Sequence, residues 1–264
     1  MKTHKIVMLA AAISAATLLP SLALAGNTPV TGEWQVKQAF INTESERTLN
    51  YQFNDDRLVG RFLSVTDQGI STSLPGGSNC QSPTIKESAS TLNAWIAATQ
   101  SIPEKDAAKT YELGLDGKAQ AKVENITCAS GNFSNGDAGA DASLAVVNKS
   151  VLLNWTDGTI LLLAPVDKNS KPKASFDCAK AASAPEKAIC SDRELASLDN
   201  SVAHSYRSFR QEAVKVGNKD LDKQLQSQQK AWLSQRNSCN ADTQCLKKSM
   251  NDRLETLAHS LDGV

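Results

Sequence analysis

The amino-acid sequence has 264 residues, with 28 basic and 28 acidic side chains that give a formal net charge of zero at pH 7. A chain without a strong positive field is not of the class that binds nucleic acids mainly through their phosphates. Its length suits one large domain or two ordinary ones, and either arrangement can bury a substantial core.

The first 25 residues have the pattern of a cleavable export signal. Lys2 and Lys5 precede an apolar run at 6–19, and the pattern predicts cleavage between Ala25 and Gly26. Because the run is too short to span a bilayer and no cysteine follows the cut, we expect a product without a membrane or lipid anchor. Loss of the two lysines leaves 26 basic residues against 28 acidic ones. We expect this mature chain to be soluble in the periplasm or outside the cell.

Residues 26–166 predict an antiparallel β-rich domain. Asp157 and Gly158 separate the apolar segments 151–155 and 159–163, as in a tight hairpin. A second hairpin is predicted around a turn at 54–56. The candidate strands are centred on Trp34, Tyr51, Val59, Thr110, Val123, Val146, Leu153 and Leu162. About eight antiparallel strands suit a small barrel or sandwich, and we expect a barrel-like domain.

Two further features of this domain are a short motif at its start and a pair of cysteines. Residues 32–34, Gly-Glu-Trp, resemble the Gly-x-Trp that opens lipocalin-like barrels, and the alternative is an ordinary core tryptophan. Segments rich in small and polar residues at 74–83 and 130–139 predict long loops. Cys80 lies in the first and Cys128 just before the second, so oxidation within the domain would pair them.

The periodicity becomes helical after a polar linker at 167–175. Ser191 and Glu194 fit a capping box, which predicts that a helix begins there. Its apolar stripe consists of Leu195, Leu198, Val202, Tyr206, Phe209, Ala213 and Val216. Gly217 marks the end of this helix, and further apolar stripes at 221–232 and 246–261 predict two more helices. Residues 176–264 therefore predict a three-helix antiparallel bundle, and the whole chain an α+β protein.

Four cysteines of the helical region, Cys178, Cys190, Cys239 and Cys245, should gather at one end of the bundle. Their spacing is wider than structural zinc sites use, and the Cys-x-x-Cys of a redox site is missing. Disulfides are therefore predicted, as expected for an exported chain. Four cysteines allow three pairings, and we favour the two local ones, Cys178 with Cys190 and Cys239 with Cys245.

Residues that could catalyse a reaction do not form a recognisable set. His204 lies off the apolar stripe and His259 lies near the C-terminus, and the sequence matches neither to a nucleophile. Two acidic pairs could act as acid and base, but they fit a turn and a helix start. These pairs are Asp55 with Asp56 and Asp220 with Asp222. Motifs that bind metals, phosphates or cofactors are also missing, so we predict a protein that is not an enzyme and has no cofactor or metal.

Five strings in the last third of the chain combine the spacing of the four cysteines with a Trp-Leu…Arg block. They are FDCAK at 176–180, PEKAIC at 185–190, SDRELASLD at 191–199, QQKAWLSQRNSC at 228–239 and CL at 245–246. Together they closely resemble the lysozyme-inhibitor LprI-like family over residues 176–261. The resemblance implies an exported, helical, cysteine-stapled module, and it does not extend to the first domain.

The resemblance implies a periplasmic binding protein that inhibits lysozyme or a related peptidoglycan-cleaving enzyme. The alternative is an immunity or envelope-stress protein that binds a bacterial toxin or cell-wall enzyme through loops of the β-domain. A third, less favoured reading is an enzyme whose barrel processes a small ligand. Lysozyme inhibitors with β-barrel folds present a Ser-Gly-x-x-Tyr loop, but the string SGNF at 130–133 lacks the tyrosine. We therefore expect a protein partner, no nucleic acid, and a mechanism other than that loop.

Overall fold

The computed structural model describes residues 30–131, 133, 142–167 and 169–260. The predicted export signal, with its cleavage site at Ala25 and Gly26, lies outside the described residues. Most of the predicted loop at 130–139 and the end of the last apolar stripe, Leu261, lie outside them as well.

The N-terminal part of the chain forms a closed barrel of eight antiparallel strands. Each strand pairs with the next one in the sequence, and the last pairs with the first. The strands are β1 (Gly32–Ile41), β2 (Phe62–Val65), β3 (Gly69–Thr72), β4 (Cys80–Thr91), β5 (Gln120–Ser130), β6 (Ala142–Val147), β7 (Ser150–Trp155) and β8 (Thr159–Pro165). With the helices that follow, this arrangement confirms the predicted α+β fold class.

Side chains at alternate strand positions fill the interior of the barrel. Trp34, Leu153 and Trp155 belong to this core, and Phe133 packs edge-on against Trp155 with ring centroids 6.1 Å apart. The indole Nε1 of Trp34 donates to the carbonyl of Val30 at 2.7 Å. The interior is therefore a packed core, as is usual for barrels of about eight strands.

Two helices of the N-terminal region, α1 (Leu92–Gln100) and α2 (Ala107–Thr110), cover part of the outside of the barrel. Trp95 of α1 packs in one apolar cluster with Leu152 and Ile160. These two residues face outward, because the next residue along each strand, Leu153 or Leu161, faces the barrel interior. Its Nε1 donates to Ser143 Oγ at 2.9 Å. The sequence pattern does not predict these helices, because both are short and α1 is apolar over most of its circumference.

Five predicted strand centres lie in strands, and the hairpin at Asp157 and Gly158 is confirmed, with positive φ angles of 58° and 65°. Three centres are wrong. Tyr51 and Val59 lie in the connection between β1 and β2, and Thr110 lies in α2. The strands β2, β3 and β4 were not predicted because the first two have four residues each and β4 exposes most of its side chains.

The helical region has one helix more than predicted. A single 3-10 turn (Cys178–Lys180) is followed by α3 (Ala184–Ser191), α4 (Arg193–Lys215), α5 (Lys219–Asn237) and α6 (Thr243–Ala258). The capping box belongs to α3 and consists of Ser183 and Glu186, so its prediction at Ser191 is wrong. Ser191 is instead the last residue of α3, and the carboxylate of Asp192 caps α4. The additional helix has Pro185 in its first turn, where a proline is favourable because its missing N–H would have no partner within the helix.

The helix α5 runs antiparallel to α4 and α6, which run parallel to each other, and the three pack around one core. Arg236, near the end of α5, contacts Asp199 near the start of α4 at 3.2 Å. Lys247, near the start of α6, contacts Glu194 at 2.5 Å. The core consists mainly of Leu195, Leu198, Val202, Leu225, Trp232, Leu246, Met250, Leu254 and Leu257. Within the described ranges, no helix has both the length and the apolar composition that a bilayer crossing requires.

Candidate functional site

Two disulfides lie at one end of the helical bundle, which we call the disulfide pole. Cys178 is bonded to Cys190 in α3, and Cys239 to Cys245 across the turn between α5 and α6. Both bridges flank the place where α4 begins, α5 ends and α6 begins. The local pairing that the sequence favours is therefore the one in the structure, and it restrains the non-helical segments at this end.

A third disulfide joins β4 to β5 of the barrel. Cys80 is bonded to Cys128, and the sulfur-bearing side chain of Cys80 is buried in the barrel core. Two backbone segments approach closely beside this bridge, because a Cβ at Gly131 would lie 1.8 Å from the carbonyl oxygen of Asn79. With a φ of +80° and no room for a Cβ, residue 131 must be glycine for the end of β5 to lie this close to the backbone before β4.

An open groove of about 620 Å³ lies between α5 and α6. Trp232, Gln235 and Ser249 are among its lining residues, and the indole Nε1 of Trp232 donates to the carbonyl of Ser249 at 3.1 Å. The groove is large enough for a ligand. Its charged lining residues are Lys248, Asp252 and Arg253. Lys248 and Asp252 form an ion pair at 2.6 Å, and Arg253 Nε donates to Gln229 Oε1 at 3.0 Å, so each has a partner within the bundle.

The side chain of Arg57 connects the barrel to the helical region. Its guanidinium donates to both carboxylate oxygens of Asp55 at 3.0 and 2.8 Å and to Glu255 of α6 at 2.9 Å. It also donates to the carbonyl of Asn50 and lies 4.8 Å from the ring centroid of Tyr51. Burial by itself would lower the pKa of Arg57, but Asp55 and Glu255 more than offset this effect and raise it. The guanidinium is therefore always charged, and it fixes the contact between the β1–β2 connection and the helical region, which we call the junction.

A second arginine of the same connection is buried against α4. Arg61 is 1% exposed, and its Nη2 donates to Ser201 Oγ at 2.6 Å. In the described part of the chain, its Nε and Nη1 have no hydrogen-bond partner. Burial lowers the pKa of Arg61 to about 10, and the nearby charges of Glu194 and Asp56 oppose this effect only in part. The junction therefore contains a cation that is incompletely compensated.

The backbone at Gly60 lies directly against α4. Ser197 Oγ donates to the carbonyl of Gly60 at 2.8 Å. A Cβ at Gly60 would lie 2.5 Å from Ser197 Oγ, and the φ angle of +87° also favours glycine. The barrel and the first turns of α4 can therefore approach this closely only because residue 60 has no side chain.

The two histidines outside the predicted export signal each lie beside a carboxylate. Nδ1 of His204 is 2.9 Å from Asp56, so the histidine predicted to face solvent also contacts the barrel. Burial raises the pKa of Asp56, and the hydrogen bond and charge of His204 oppose this shift. His259 is 58% exposed and its Nε2 lies 4.0 Å from Glu255. These contacts suit a structural role at the junction.

The acidic pairs considered as catalytic groups each have a partner in the fold. Asp55 is held by Arg57, and Asp222 accepts from Arg210 Nε at 2.6 Å. Across the part of the chain that the structure describes, His, Cys, Asp and Glu side chains do not cluster in threes as metal ligands. In the string SGNF, Phe133 is buried in the barrel core and Asn132 lies outside the described residues.

The sequence of the helical region is similar to that of a known protein family. Residues 178–261 match the family model described as lysozyme inhibitor LprI. The matched segment contains the whole disulfide pole and the helices of the bundle, and it excludes the barrel. No curated protein and no solved structure matches this chain significantly.

Sequence reasoning missed the two arginines that join the barrel to the helices. Arg57 and Arg61 flank the apolar pair Leu58 and Val59 in a segment that was predicted to be a strand. Arginine normally indicates an exposed position, and its partners Glu255 and Ser201 are more than 100 residues away in the sequence. The interleaving of apolar and basic residues is the signal that could have marked this segment as buried.

Proposed function

We propose that this protein is an exported inhibitor that binds a lysozyme-type, peptidoglycan-cleaving enzyme and blocks it without reacting chemically. The observation that carries this proposal is the match of residues 178–261 to the lysozyme inhibitor LprI model. The family description names a protein target. A protein that acts by binding needs no set of catalytic residues. The histidines and acidic residues considered as catalytic groups are instead held in contacts within the fold, which agrees with a binding role.

The chemistry of the cysteines supports export. All six cysteines of the chain are paired in three disulfides, and the sequence begins with the pattern of a cleavable leader. Disulfides persist in the periplasm and outside the cell, whereas the cytosol reduces them. We therefore infer a periplasmic or secreted location, where the protein would meet enzymes that attack peptidoglycan.

The rigidity of the fold supports a binding role. The disulfide pole fixes one end of the bundle, and the contacts of Arg57, Arg61 and Gly60 fix the bundle against the barrel. A surface that is already ordered loses little conformational entropy when it binds. The protein therefore provides a preorganised scaffold for docking into an enzyme.

The direct test is a turbidity assay in which lysozyme clears a suspension of bacterial cell walls. We expect the purified chain without its first 25 residues to reduce the rate saturably, until one inhibitor is present per enzyme. Protein that has been reduced and alkylated serves as the control and should lose this effect. Full lysozyme activity in the presence of excess folded protein would reject the proposal.

The same preparation can also test the alternative function. Cell-wall hydrolases extracted from a bacterial envelope replace lysozyme in an otherwise identical assay. Inhibition of these enzymes with no effect on lysozyme would favour the immunity or envelope-stress role, because the barrel lies outside the family match and offers loops for a different target.

A further inference from the structure

We propose that the turn between α4 and α5 is the part of this protein that enters the substrate cleft of the target enzyme. We call residues 214–219 the hairpin tip. They comprise Val214, Lys215, Val216, Gly217, Asn218 and Lys219. This inference rests on the proposed function and adds to it the surface that makes the contact.

The hairpin tip lies well beyond the contacts of α4 with the barrel connection. The last side-chain contact of α4 with the connection between β1 and β2 is made by His204 with Asp56, and α4 continues for 11 residues to Lys215. At a rise of about 1.5 Å per residue, this distance is about 17 Å. A Cβ at Gly217 would meet no atom within 4 Å, so the turn is open on its outer side. The tip therefore has the convex shape that a cleft requires.

The hairpin tip is also short and internally bonded. The amide of Asn218 donates to the carbonyl of Ala213 at 2.8 Å, and the amide of Gly217 donates to that of Val214 at 3.1 Å. This is the pattern of a Schellman motif, with Gly217 at a φ of +75°. The side chain of Asn218 then caps α5 by accepting from the amide of Leu221. Because its backbone is already ordered, the tip would lose little entropy on insertion.

Apolar side chains are unusually exposed at the hairpin tip. Val214 is 63% exposed and Val216 is 62% exposed. The residues that the structure describes include four exposed large apolar side chains, and two of them are Val214 and Val216. The other two, Phe53 and Leu233, are far apart in the sequence, so the tip is where two such side chains occur together. Single exposed apolar residues are common, but two that flank one lysine at the end of a projection suit a binding contact.

The charge of the tip and its flanks complements an acidic cleft. The segment 207–223 has five basic side chains, which are Arg207, Arg210, Lys215, Lys219 and Lys223. Its three acidic side chains are Glu212, Asp220 and Asp222, so the net charge is +2. Enzymes that hydrolyse glycosidic bonds mostly use two carboxyl groups on either side of the scissile bond. A convex, basic and partly apolar tip fits a concave site with this pair better than the acidic side chains of the barrel do.

The test uses two matched double variants in the cell-wall clearance assay. The tip variant is Val214→Asp with Lys215→Glu. The control is Leu233→Asp with Lys230→Glu, which also replaces one exposed apolar residue and one exposed lysine by acidic residues, here within α5 and away from the tip. We expect the tip variant to need at least about tenfold more protein for half-inhibition, whereas the control stays within about twofold of the wild type. Thermal melts of both variants show whether they are folded.

A milder variant, Val214→Ala with Lys215→Ala, keeps the test valid if the acidic one is destabilised, and it should weaken inhibition by about threefold or more. Raising the salt concentration should weaken wild-type inhibition more than that of the tip variant. A wild-type protein that inhibits, together with folded tip variants of equal potency, would overturn this inference alone. A wild-type protein that leaves the enzyme active would overturn the proposed function and this inference with it.

Discussion

Nη1 of Arg57 lies 2.9 Å from the carboxylate of Glu255, and this ion pair joins the barrel to the last helix of the bundle. Its two members are in different environments, since the Arg57 side chain is 5% exposed and that of Glu255 is 49% exposed. Arg57 also compensates the buried charge of Asp55 at 2.8 Å. Removing one member of the pair should therefore have a different consequence from removing the other.

We expect Arg57→Leu to destabilise the protein by about 3–5 kcal/mol, because it leaves the buried carboxylate of Asp55 without its cation. Glu255→Gln should cost less than about 1 kcal/mol, because an exposed ion pair contributes little and the amide can still accept a hydrogen bond. Urea denaturation at pH 7 measures both free energies of unfolding. Equal losses for the two variants would contradict this account of the junction.

Arg61 predicts a substitution that increases stability. Its guanidinium is buried, and in the described residues two of its nitrogens have no hydrogen-bond partner. Replacing an incompletely compensated buried charge by an apolar side chain of similar length is often stabilising, so Arg61→Met should raise the free energy of unfolding by about 1 kcal/mol.

The neighbouring variant Ser201→Ala provides the opposite case. It keeps the charge of Arg61 and removes the hydroxyl that accepts from Nη2 at 2.6 Å. We expect a loss of about 1–3 kcal/mol, because a hydrogen bond to a charged group is removed without removing the charge. Both variants are compared by urea denaturation, and a loss of stability in Arg61→Met would show that Ser201 compensates the cation sufficiently.

Much of the fold could be predicted where local patterns are strong. The hairpin between β7 and β8 follows from Asp157 and Gly158, and α4 follows from an apolar stripe that is sustained over its whole length. The sequence predicted disulfides in the helical region but left three pairings open, of which the favoured local one is present. These features depend on residues close together in the sequence.

The parts that were missed depend on tertiary contacts. Tyr51 and Val59 have the alternating pattern of strands, yet their segment is folded by Asp55 and Arg57 into a non-strand connection that packs on α4 and α6. The exposed side chains of β4 gave no apolar signal, although β4 pairs along most of its length with β5. The hairpin tip was predicted only as a helix end, because exposure of Val214 and Val216 depends on where the bundle stops.

Glu124 predicts that acid stabilises the barrel in the moderately acidic range. Its carboxylate is fully buried and lies 3.8 Å from Lys122 Nζ. Burial raises the pKa of Glu124 above its usual 4.5, and Lys122 opposes this shift. The folded protein therefore takes up this proton at a higher pH than the unfolded chain does. Stability should increase as the pH falls from 7 through the folded-state pKa towards about 4.5.

The variant Glu124→Gln lacks this titration. The free energy of unfolding is measured in urea at several pH values for the wild type, for Glu124→Gln and for Glu104→Gln, which removes an exposed carboxylate of the same region. The wild type should gain stability relative to Glu124→Gln as the pH falls, and Glu104→Gln should follow the wild type. A difference that is constant with pH would mean that the burial of Glu124 does not perturb its ionisation.

The three disulfides should differ in their contribution to stability because they close loops of different length. The bonded cysteines are 48 residues apart for Cys80–Cys128, 12 for Cys178–Cys190 and 6 for Cys239–Cys245. In the chain-entropy account, these bridges restrict the unfolded chain by about 4, 3 and 2 kcal/mol, respectively. Replacing each pair by alanine and measuring urea denaturation should give losses in that order.

Packing reinforces the largest of these effects. Cys80 is 1% exposed in the barrel core, so its replacement by alanine also removes a sulfur atom from a closed core. In the pair Cys239–Cys245, Cys239 lies at the edge of the helical core with 9% exposed and Cys245 is exposed. The Cys239→Ala, Cys245→Ala variant should still unfold cooperatively. A larger loss for this pair than for Cys80 and Cys128 would show that the disulfide pole stabilises the native helices directly and not mainly through the unfolded chain.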